Sequence, residues 1–415
     1  MFRHTDLIIF KLSMDCNLEC DYCLMHNKIK NGIIEFETFT KIIDEIIKQR
    51  ILQKNTSNTL KLVFHGGEIL MVKVDYLDKM LTYATEAFKN NKCKVSFGTQ
   101  SNITLLTDEY AKIFKKHKIN VGVSFDGPGN LSDFRILNFD FKEKLEILKK
   151  HELAINFIIT VSKKNIFHID EILSYLASMG FYNVKINYVE DVDIATVKES
   201  LFEVTGEEYY QNVFLTDMHN LFNNKKIVNN KIPLILKRAI SDMFTYQKFD
   251  GKTGCETKYC GGGMYMVTIG IDGTAYICDR YDKEYPHAFV KNIGEYDFLG
   301  MRQLNVAIQD NYKKYLVYKE MGCNDCEAKC ICDHGCIAMH YTKFKKYGIE
   351  EDMTCVYFKS VYAYIKENIK RILPYYKCIE GENTFLALKP QAVSELKNYF
   401  MFKLDNNSLY IKEVE

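Results

Sequence analysis

Tryptophan is absent from the 415 residues and proline occurs five times, and neither scarcity bears on function. The lack of net charge does. Lys and Arg number 55 against 54 Asp and Glu, leaving +1, so a partner bound through a basic face, whether nucleic acid or an anionic membrane, has no electrostatic footing. No charge-free apolar run approaches the roughly 18–20 residues of a membrane span. The opening residues Met1-Phe2-Arg3-His4-Thr5-Asp6 lack the layout of a secretory signal. The expected compartment is therefore the cytoplasm, where thiols stay reduced. Low-complexity segments are missing too, as is any repeat beyond a strand–helix unit. Cysteine, in contrast, is plentiful: fourteen, a number that in a reducing compartment reads as metal ligation more than disulfides. The apolar fraction of 47% is that of an ordinary folded chain, long enough for two or three domains.

From Leu7 to Asn187, short β-branched runs alternate with amphipathic stretches. The runs predict strands at Leu7–Lys11, Leu60–Phe64, Cys93–Gly98, Asn120–Phe125, Ala154–Val161 and Asn183–Tyr188. Between them lie apolar residues at three- and four-residue spacing, such as Phe39, Ile42, Ile43, Ile46 and Ile47, the period of a helix with one buried face. Alternation of this kind predicts a parallel sheet with crossover helices, either doubly wound or an open barrel, with too few units for a closed eight-stranded one. In both, ligands bind at the carboxyl ends of the strands. Four segments fall there: the loop from Cys16 to Cys23, His65-Gly66-Gly67-Glu68, Thr99-Gln100-Ser101-Asn102, and Ser124-Phe125-Asp126-Gly127-Pro128. After Asp191 the pattern is helical and irregular to about residue 250, and a second cysteine-rich region then runs to about Phe358, followed by a helix from Val361 to Ile372 and a short tail.

Cys16, Cys20 and Cys23 are spaced C-x3-C-x2-C. Iron–sulfur clusters are normally held by four thiolates, so three in one turn predict a cluster with one open iron, and an open metal position is where chemistry occurs. The competing reading is a zinc loop with a distant fourth ligand. Further on, Cys260 is followed by Gly273 and Cys278, then by Cys323-x2-Cys326-x5-Cys332-x3-Cys336 and Cys355, with Cys255 as an eighth thiol. Eight thiolates suffice for two fully ligated four-iron clusters, and a pair of zinc knuckles is the alternative. Cys330, Cys93 and Cys378 are surplus.

The first cysteine loop, with Tyr22 before its last Cys, resembles that of the radical S-adenosylmethionine superfamily, and the distal cysteines resemble the SPASM domain pattern. The resemblance covers most of residues 6–358. It implies an α/β fold: an open partial (βα)6 barrel followed by a small cysteine-rich iron–sulfur domain. The expected division is 1–190 barrel, 191–250 helical bridge, 251–360 SPASM domain and 361–415 helix and tail. By the same resemblance S-adenosylmethionine chelates the open iron and yields a 5′-deoxyadenosyl radical that abstracts a substrate hydrogen, the cofactor carrying the chemistry while the protein orients it. Tyr22, Gly66, Gly67, Glu68, Gln100, Ser101, Asn102 and Ser124 are the expected cofactor-binding residues. Glycines permit close backbone approach, and the Glu68 carboxylate could pair with the cofactor's ammonium. Ile69 stands where the family usually has Pro, and Ile103 where Gly is common. One auxiliary [4Fe-4S] cluster takes Cys255, Cys260, Cys278 and Cys336, the other Cys323, Cys326, Cys332 and Cys355, for three clusters in all.

Two extra clusters favour net oxidation, since a substrate radical that closes into a new bond must lose one more electron. Asp279, directly after Cys278, resembles the proposed general base of anaerobic sulfatase-maturing members; an exposed turn residue or an ion pair with Arg280 is the plain alternative. Two substrates compete. Maturation of a ribosomally made peptide, by a thioether or carbon–carbon cross-link, is favoured by His334-Gly335-Cys336-Ile337-Ala338-Met339-His340-Tyr341, which resembles peptide maturases. Oxidation of a sulfatase Cys or Ser to formylglycine is favoured by Cys278-Asp279. The implied partners are a peptide or protein substrate and an electron donor such as flavodoxin or ferredoxin. Fifteen residues precede Cys16, so leader binding is expected to use the tail, a barrel groove or a separate leader-peptide-binding protein. A non-enzymatic polycluster electron carrier is the reading of another class, and it predicts four thiols per cluster throughout.

Overall fold

The computed structural model describes residues 5–23, 32–135, 141–188, 204–244, 262–263, 265–279, 289–290, 322–332, 353–373, 400–405 and 408–413. Six parallel strands, β1 (Leu7–Ser13), β2 (Leu60–Gly66), β3 (Val95–Ser101), β4 (Asn120–Ser124), β5 (Ile155–Val161) and β6 (Asn183–Tyr188), lie side by side in chain order. Between them come α1 (Phe36–Leu52), α2 (Val74–Asn90), α3 (Asp108–Lys116), α4 (Phe141–Lys150) and α5 (Ile169–Ser178). The expected β–α alternation and open barrel are both observed.

Pleating divides the sheet into two chemistries. Phe10, Phe64, Phe97 and Phe157 turn to the helical side and are buried. Phe10 stacks on Phe39 of α1 at 5.5 Å and Phe64 on Phe97 at 5.8 Å. The alternate positions, His65, Gln100, Thr160 and Asn187, are half-buried and polar. Successive side chains of a strand point to opposite faces, so one face makes the dry core and the other a wet concave surface. The helices bury the stripe that their spacing foretells: in α1, Phe39, Ile42, Ile43, Ile46 and Ile47. Burial of each such side chain contributes about 1.5–3 kcal/mol.

Short strands lengthen the sheet at both edges, which the sequence pattern does not foretell. Val228–Asn229 (β7) adds to β6, inside the stretch expected to be helical and irregular. Met266–Ile269 (β8) pairs in parallel with β1, Ala275–Tyr276 (β9) returns antiparallel, and Phe289–Val290 (β10) follows. Strands of two residues carry no detectable alternation. The late helix begins at Met353 rather than Val361 and ends at Glu367, because Tyr357, Val361 and Ile365 form one buried stripe. It packs on the helical run Gly206–Phe222, with Tyr357 edge-on to Tyr209 at 5.0 Å. A hairpin, Phe400–Asp405 with Ser408–Glu413, makes a separate sheet.

Candidate active site

Three strand-end loops interlock at the carboxyl rim of β1–β3. The loop after β1 carries Cys16, Cys20 and Cys23, and the Gly-Gly-Glu turn after β2 lies flush against its base. Gly67 N–H donates to the Ser13 carbonyl at 2.8 Å and Glu68 N–H to the Asp15 carbonyl at 2.7 Å. A Cβ on Gly67 would stand 2.1 Å from the Asp15 oxygen, and Gly66, at φ +135°, would place one 2.3 Å from the Ser13 oxygen. Here the glycines admit a neighbouring backbone. Glu68 points inward, 2% exposed. Its carboxylate accepts from Leu70 N–H at 3.1 Å, Ser101 Oγ at 2.6 Å and Asn102 N–H at 2.8 Å. Burial raises its pKa against the pull of those donors. Asn102 in turn donates from Nδ2 to Asn17 Oδ1 at 3.2 Å and lies 3.9 Å from Cys16 Sγ. Hydrogen bonds to ligand sulfur are one of the means by which a protein tunes a cluster.

The three thiols lie close enough for their charges to act on one another. Burial pushes the Cys20 thiol up to about 12, opposed by the Arg135 charge and reinforced by Cys23 and Cys16; burial raises Cys16 as well. Such a thiolate needs a positive centre beside it, and iron supplies one. Among the described residues no three His, Cys, Asp or Glu side chains surround a single ion. A cubane instead binds each thiolate through its own iron, so the donor set of the first loop fits a cluster better than one ion.

Asp126, in the segment that ends β4, tethers the loop from the far side. Tyr22 Oη donates to its Oδ2, Arg135 grips both oxygens at 2.7 and 3.1 Å, and Thr160 N–H donates at 3.0 Å. The guanidinium also lies 5.4 Å from the Tyr22 ring centre. Burial acts to lower the Arg135 pKa, and the Asp126 carboxylate more than reverses that. Burial also lifts Tyr22 well above the ordinary phenol value. Asp126 and Arg135 were not among the expected site residues. An Asp in a Ser-x-Asp-Gly-Pro segment reads as a turn residue, and nothing in the sequence links it to a tyrosine a hundred positions earlier.

Across the concave face runs a polar row. Lys11 of β1 is register partner to His65 of β2. His65 Nε2 meets Gln100 Oε1 at 3.2 Å, and Gln100 Nε2 donates to Ser124 Oγ at 3.2 Å. Asp279 closes the row: Oδ1 is 2.8 Å from Lys11 Nζ and Oδ2 is 3.5 Å from His65 Nδ1. It arrives there because β8 pairs with β1 and β9 folds back, returning the chain to the rim just past the buried Cys278. Arg280 is outside the described residues, whereas Lys11 holds Asp279 from the barrel. A lysine inside the apolar run Leu7-Ile8-Ile9-Phe10-Lys11-Leu12 was the available signal for that partner.

Of the distal cysteines, Cys255, Cys260 and Cys336 lie outside the described residues. Cys323 and Cys326 are joined by a tight turn, with Cys326 N–H on the Cys323 carbonyl at 3.4 Å. The turn Lys329–Cys332 packs against the helix that carries Cys355. Burial, then the neighbouring Asp242 carboxylate, pushes the surplus Cys330 thiol up to about 12.

A family described as a 4Fe-4S single cluster domain matches residues 7–145. A cysteine-type anaerobic sulfatase-maturating enzyme of Clostridium novyi is 23% identical over 383 residues, covering 89% of this chain and 96% of that protein. Among solved structures, native anSMEcpe with bound AdoMet superimposes with a TM-score of 0.66 at 18% identity, over 89% of this chain and 99% of its own. Streptococcus suis SuiB bound to S-adenosylmethionine gives 0.56 at 15% identity, over 85% and 77%. At such identities the structures speak for the fold, which is the open barrel described above. Together with the full-length relative and the iron–sulfur match, this sets aside the reading as a non-enzymatic electron carrier. The iron–sulfur domain match over residues 7–145, the relative of similar length and the shared open-barrel fold together support the reading of the chain as a radical S-adenosylmethionine enzyme.

Proposed function

We propose that this enzyme oxidatively modifies a side chain of a ribosomally made peptide, forming a thioether or carbon–carbon cross-link. The observation that carries the reading is the run His334-Gly335-Cys336-Ile337-Ala338-Met339-His340-Tyr341, which resembles peptide maturases; Asp279, at the rim of the polar concave face one residue beyond Cys278, is a base that either reading can use. S-adenosylmethionine, when bound at the cluster of Cys16, Cys20 and Cys23, supplies hydrogen-atom abstraction. The residues of this chain do the rest: the polar face orients the peptide, and Asp279 takes the proton that a thiol or similar group must release as the bond closes. Tyr22, Gly66, Gly67, Glu68, Gln100, Ser101, Asn102 and Ser124 form the cofactor-binding rim in this proposal, several of them by holding the loops together. Cys255, Cys260, Cys278 and Cys336, and separately Cys323, Cys326, Cys332 and Cys355, hold two auxiliary clusters, giving about twelve irons per chain. A flavodoxin or ferredoxin is the proposed reductant, a separate protein the proposed leader binder, and the cytoplasm the compartment; no helix among the described residues is long and apolar enough to cross a membrane.

A second reading, conversion of a sulfatase Cys or Ser to formylglycine, is favoured by the Clostridium novyi relative, described as a cysteine-type anaerobic sulfatase-maturating enzyme and matched over 96% of its length. One experiment divides the two. Reconstituted anaerobically with dithionite and S-adenosylmethionine, the enzyme is given either a cysteine-rich peptide encoded beside its gene or a sulfatase segment. The proposal expects the first peptide to become lighter by two hydrogens. Aldehyde formation on the sulfatase segment, with the first peptide untouched, establishes the second reading instead.

A further inference from the structure

We infer that Lys11 and His65 are positioning residues for Asp279, seating the cysteine-rich segment on the barrel through a two-point grip on one carboxylate. Lys11 is the starting point. Its side chain is 8% exposed within an apolar strand, and a buried ammonium is costly unless it is paired and hydrogen-bonded. Asp279 Oδ1 lies 2.8 Å from its Nζ, so the charge borne by β1 is answered by a residue from the far end of the fold.

The second point of grip is His65, beside Lys11 in register on β2, whose Nδ1 faces Oδ2 of the same carboxylate at 3.5 Å. One contact leaves a carboxylate able to swing about its Cβ; a second, longer approach to the other oxygen from the neighbouring strand narrows that swing. His65 is steadied from behind. Its Nε2 meets Gln100 Oε1, and Gln100 is held by Ser124, so the grip is backed by a chain of side chains running to β4. Partners that lock a functional group's rotamer in this way set its geometry.

The grip reaches beyond Asp279. The preceding carbonyl, Ile277, accepts from Gly263 N–H at 2.9 Å, and a Cβ on Gly262 would lie 2.9 Å from that oxygen. The Gly262–Gly263 turn and the stretch after β9 that carries Cys278 therefore move together, and the carboxylate that anchors one anchors the other. On this account, Lys11 and His65 fix where Cys278 sits relative to the barrel rim.

The inference deepens the proposed function, on which its catalytic consequence rests; the seat itself does not depend on it. Two readouts keep them apart. Hydrogen–deuterium exchange of the amides from Met266 to Asp279 in the full-length protein reads the seat without any turnover. Product formed per 5′-deoxyadenosine released reads the consequence. Lys11→Met is expected to speed exchange across Ala275–Asp279 by at least about tenfold, as breaking a buried pair does, and Lys11→Arg, which keeps the charge, to restore most of the protection. His65→Phe, should Lys11→Met fold poorly, is expected to act in the same direction and less. The charge-swapped pair Lys11→Asp with Asp279→Lys is expected to exchange more slowly than either single variant. Parental exchange in both Lys11→Met and His65→Phe overturns the inference. Faster exchange with an unchanged product ratio upholds the seat and removes Asp279 from the proposed reaction.

Discussion

Cys16, Cys20 and Cys23 sit in a loop with a local bond of its own, Cys23 N–H on the Cys20 carbonyl at 3.0 Å, and with further ties from far along the chain. Tyr22 is bonded to Asp126, 104 positions away, and Asn17 to Asn102, 85 away. Cys323, Cys326 and Cys332 lie in a run secured locally: Cys326 N–H on Cys323, Lys329 on Cys326, Ile331 and Cys332 on Ala328. The difference has a physical logic. A cluster with an open iron must face the concave side, so its loop is aimed by several strands, whereas a fully ligated cluster can be wrapped by turns of its own sequence. It follows that the first region is vulnerable at a distance and the second is vulnerable at its ligands.

The largest expected effect separates the regions by ligand. Cys20→Ala is expected to bring 5′-deoxyadenosine formation down to the background of cluster-free protein, since the open iron is lost with the cluster. Cys332→Ala is expected to spare that cleavage while abolishing product. Both should lower iron by about four atoms per chain, so iron content alone cannot tell them apart and the cleavage assay must. Loss of cleavage in Cys332→Ala would show that the two regions are not independent.

Next comes the distant tether. Asp126→Ala leaves the buried Arg135 without its carboxylate, a change that costs about 3–5 kcal/mol when a buried pair is broken from one side. Chemical denaturation should report that loss. Tyr22→Phe removes a single hydrogen bond and keeps the ion pair, so about 1 kcal/mol is expected. Equal losses in the two variants would mean that Tyr22, rather than the Asp126–Arg135 pair, holds the loop.

The same contrast governs what could be read in the sequence. The six strands were legible because alternation and 3.6-residue periodicity are local signals, and the C-x3-C-x2-C and C-x2-C spacings are local as well; their order in the sheet was left open by the residues and came only with the family resemblance. The strand-end placement of Glu68 and Asn102 followed from their positions just after predicted strands. Their hydrogen bonds did not: Glu68 accepts from Ser101, Asn102 and Leu70, partners that no spacing announces. Pairings such as Tyr22 with Asp126, or Lys11 with Asp279, depend on the register of strands and on β8 joining β1. A four-residue strand beyond a helical bridge leaves no mark that would announce that neighbour. Lys11 was conspicuous as a charge in an apolar run, and its partner could be named only once the sheet was assembled.

The most condition-dependent effect tests the second region where its helix rests on the run Gly206–Phe222. Asp217 is fully buried beside Tyr357, two residues from Cys355 on the same helix, and its Oδ1 accepts from Asn229 N–H at 2.8 Å. Burial raises its pKa from 3.8 to about 7. Between those values the folded protein keeps a proton that the unfolded chain has released, so stability falls as pH rises through the window. The contribution is complete below the unfolded value and gone above about 7. Asp217→Asn removes the charge but keeps an acceptor for Asn229. At pH 8 it should be more stable than the parent by roughly 2 kcal/mol, a discounted figure given about 1.4 kcal/mol per pKa unit, with no such gain at pH 4. Urea unfolding at the two pH values checks the difference. Hydrogen exchange localises it: the parent should loosen at high pH along Met353–Glu367 and leave the first cysteine loop untouched. A gain of equal size at both pH values would assign the effect to packing rather than to the buried charge.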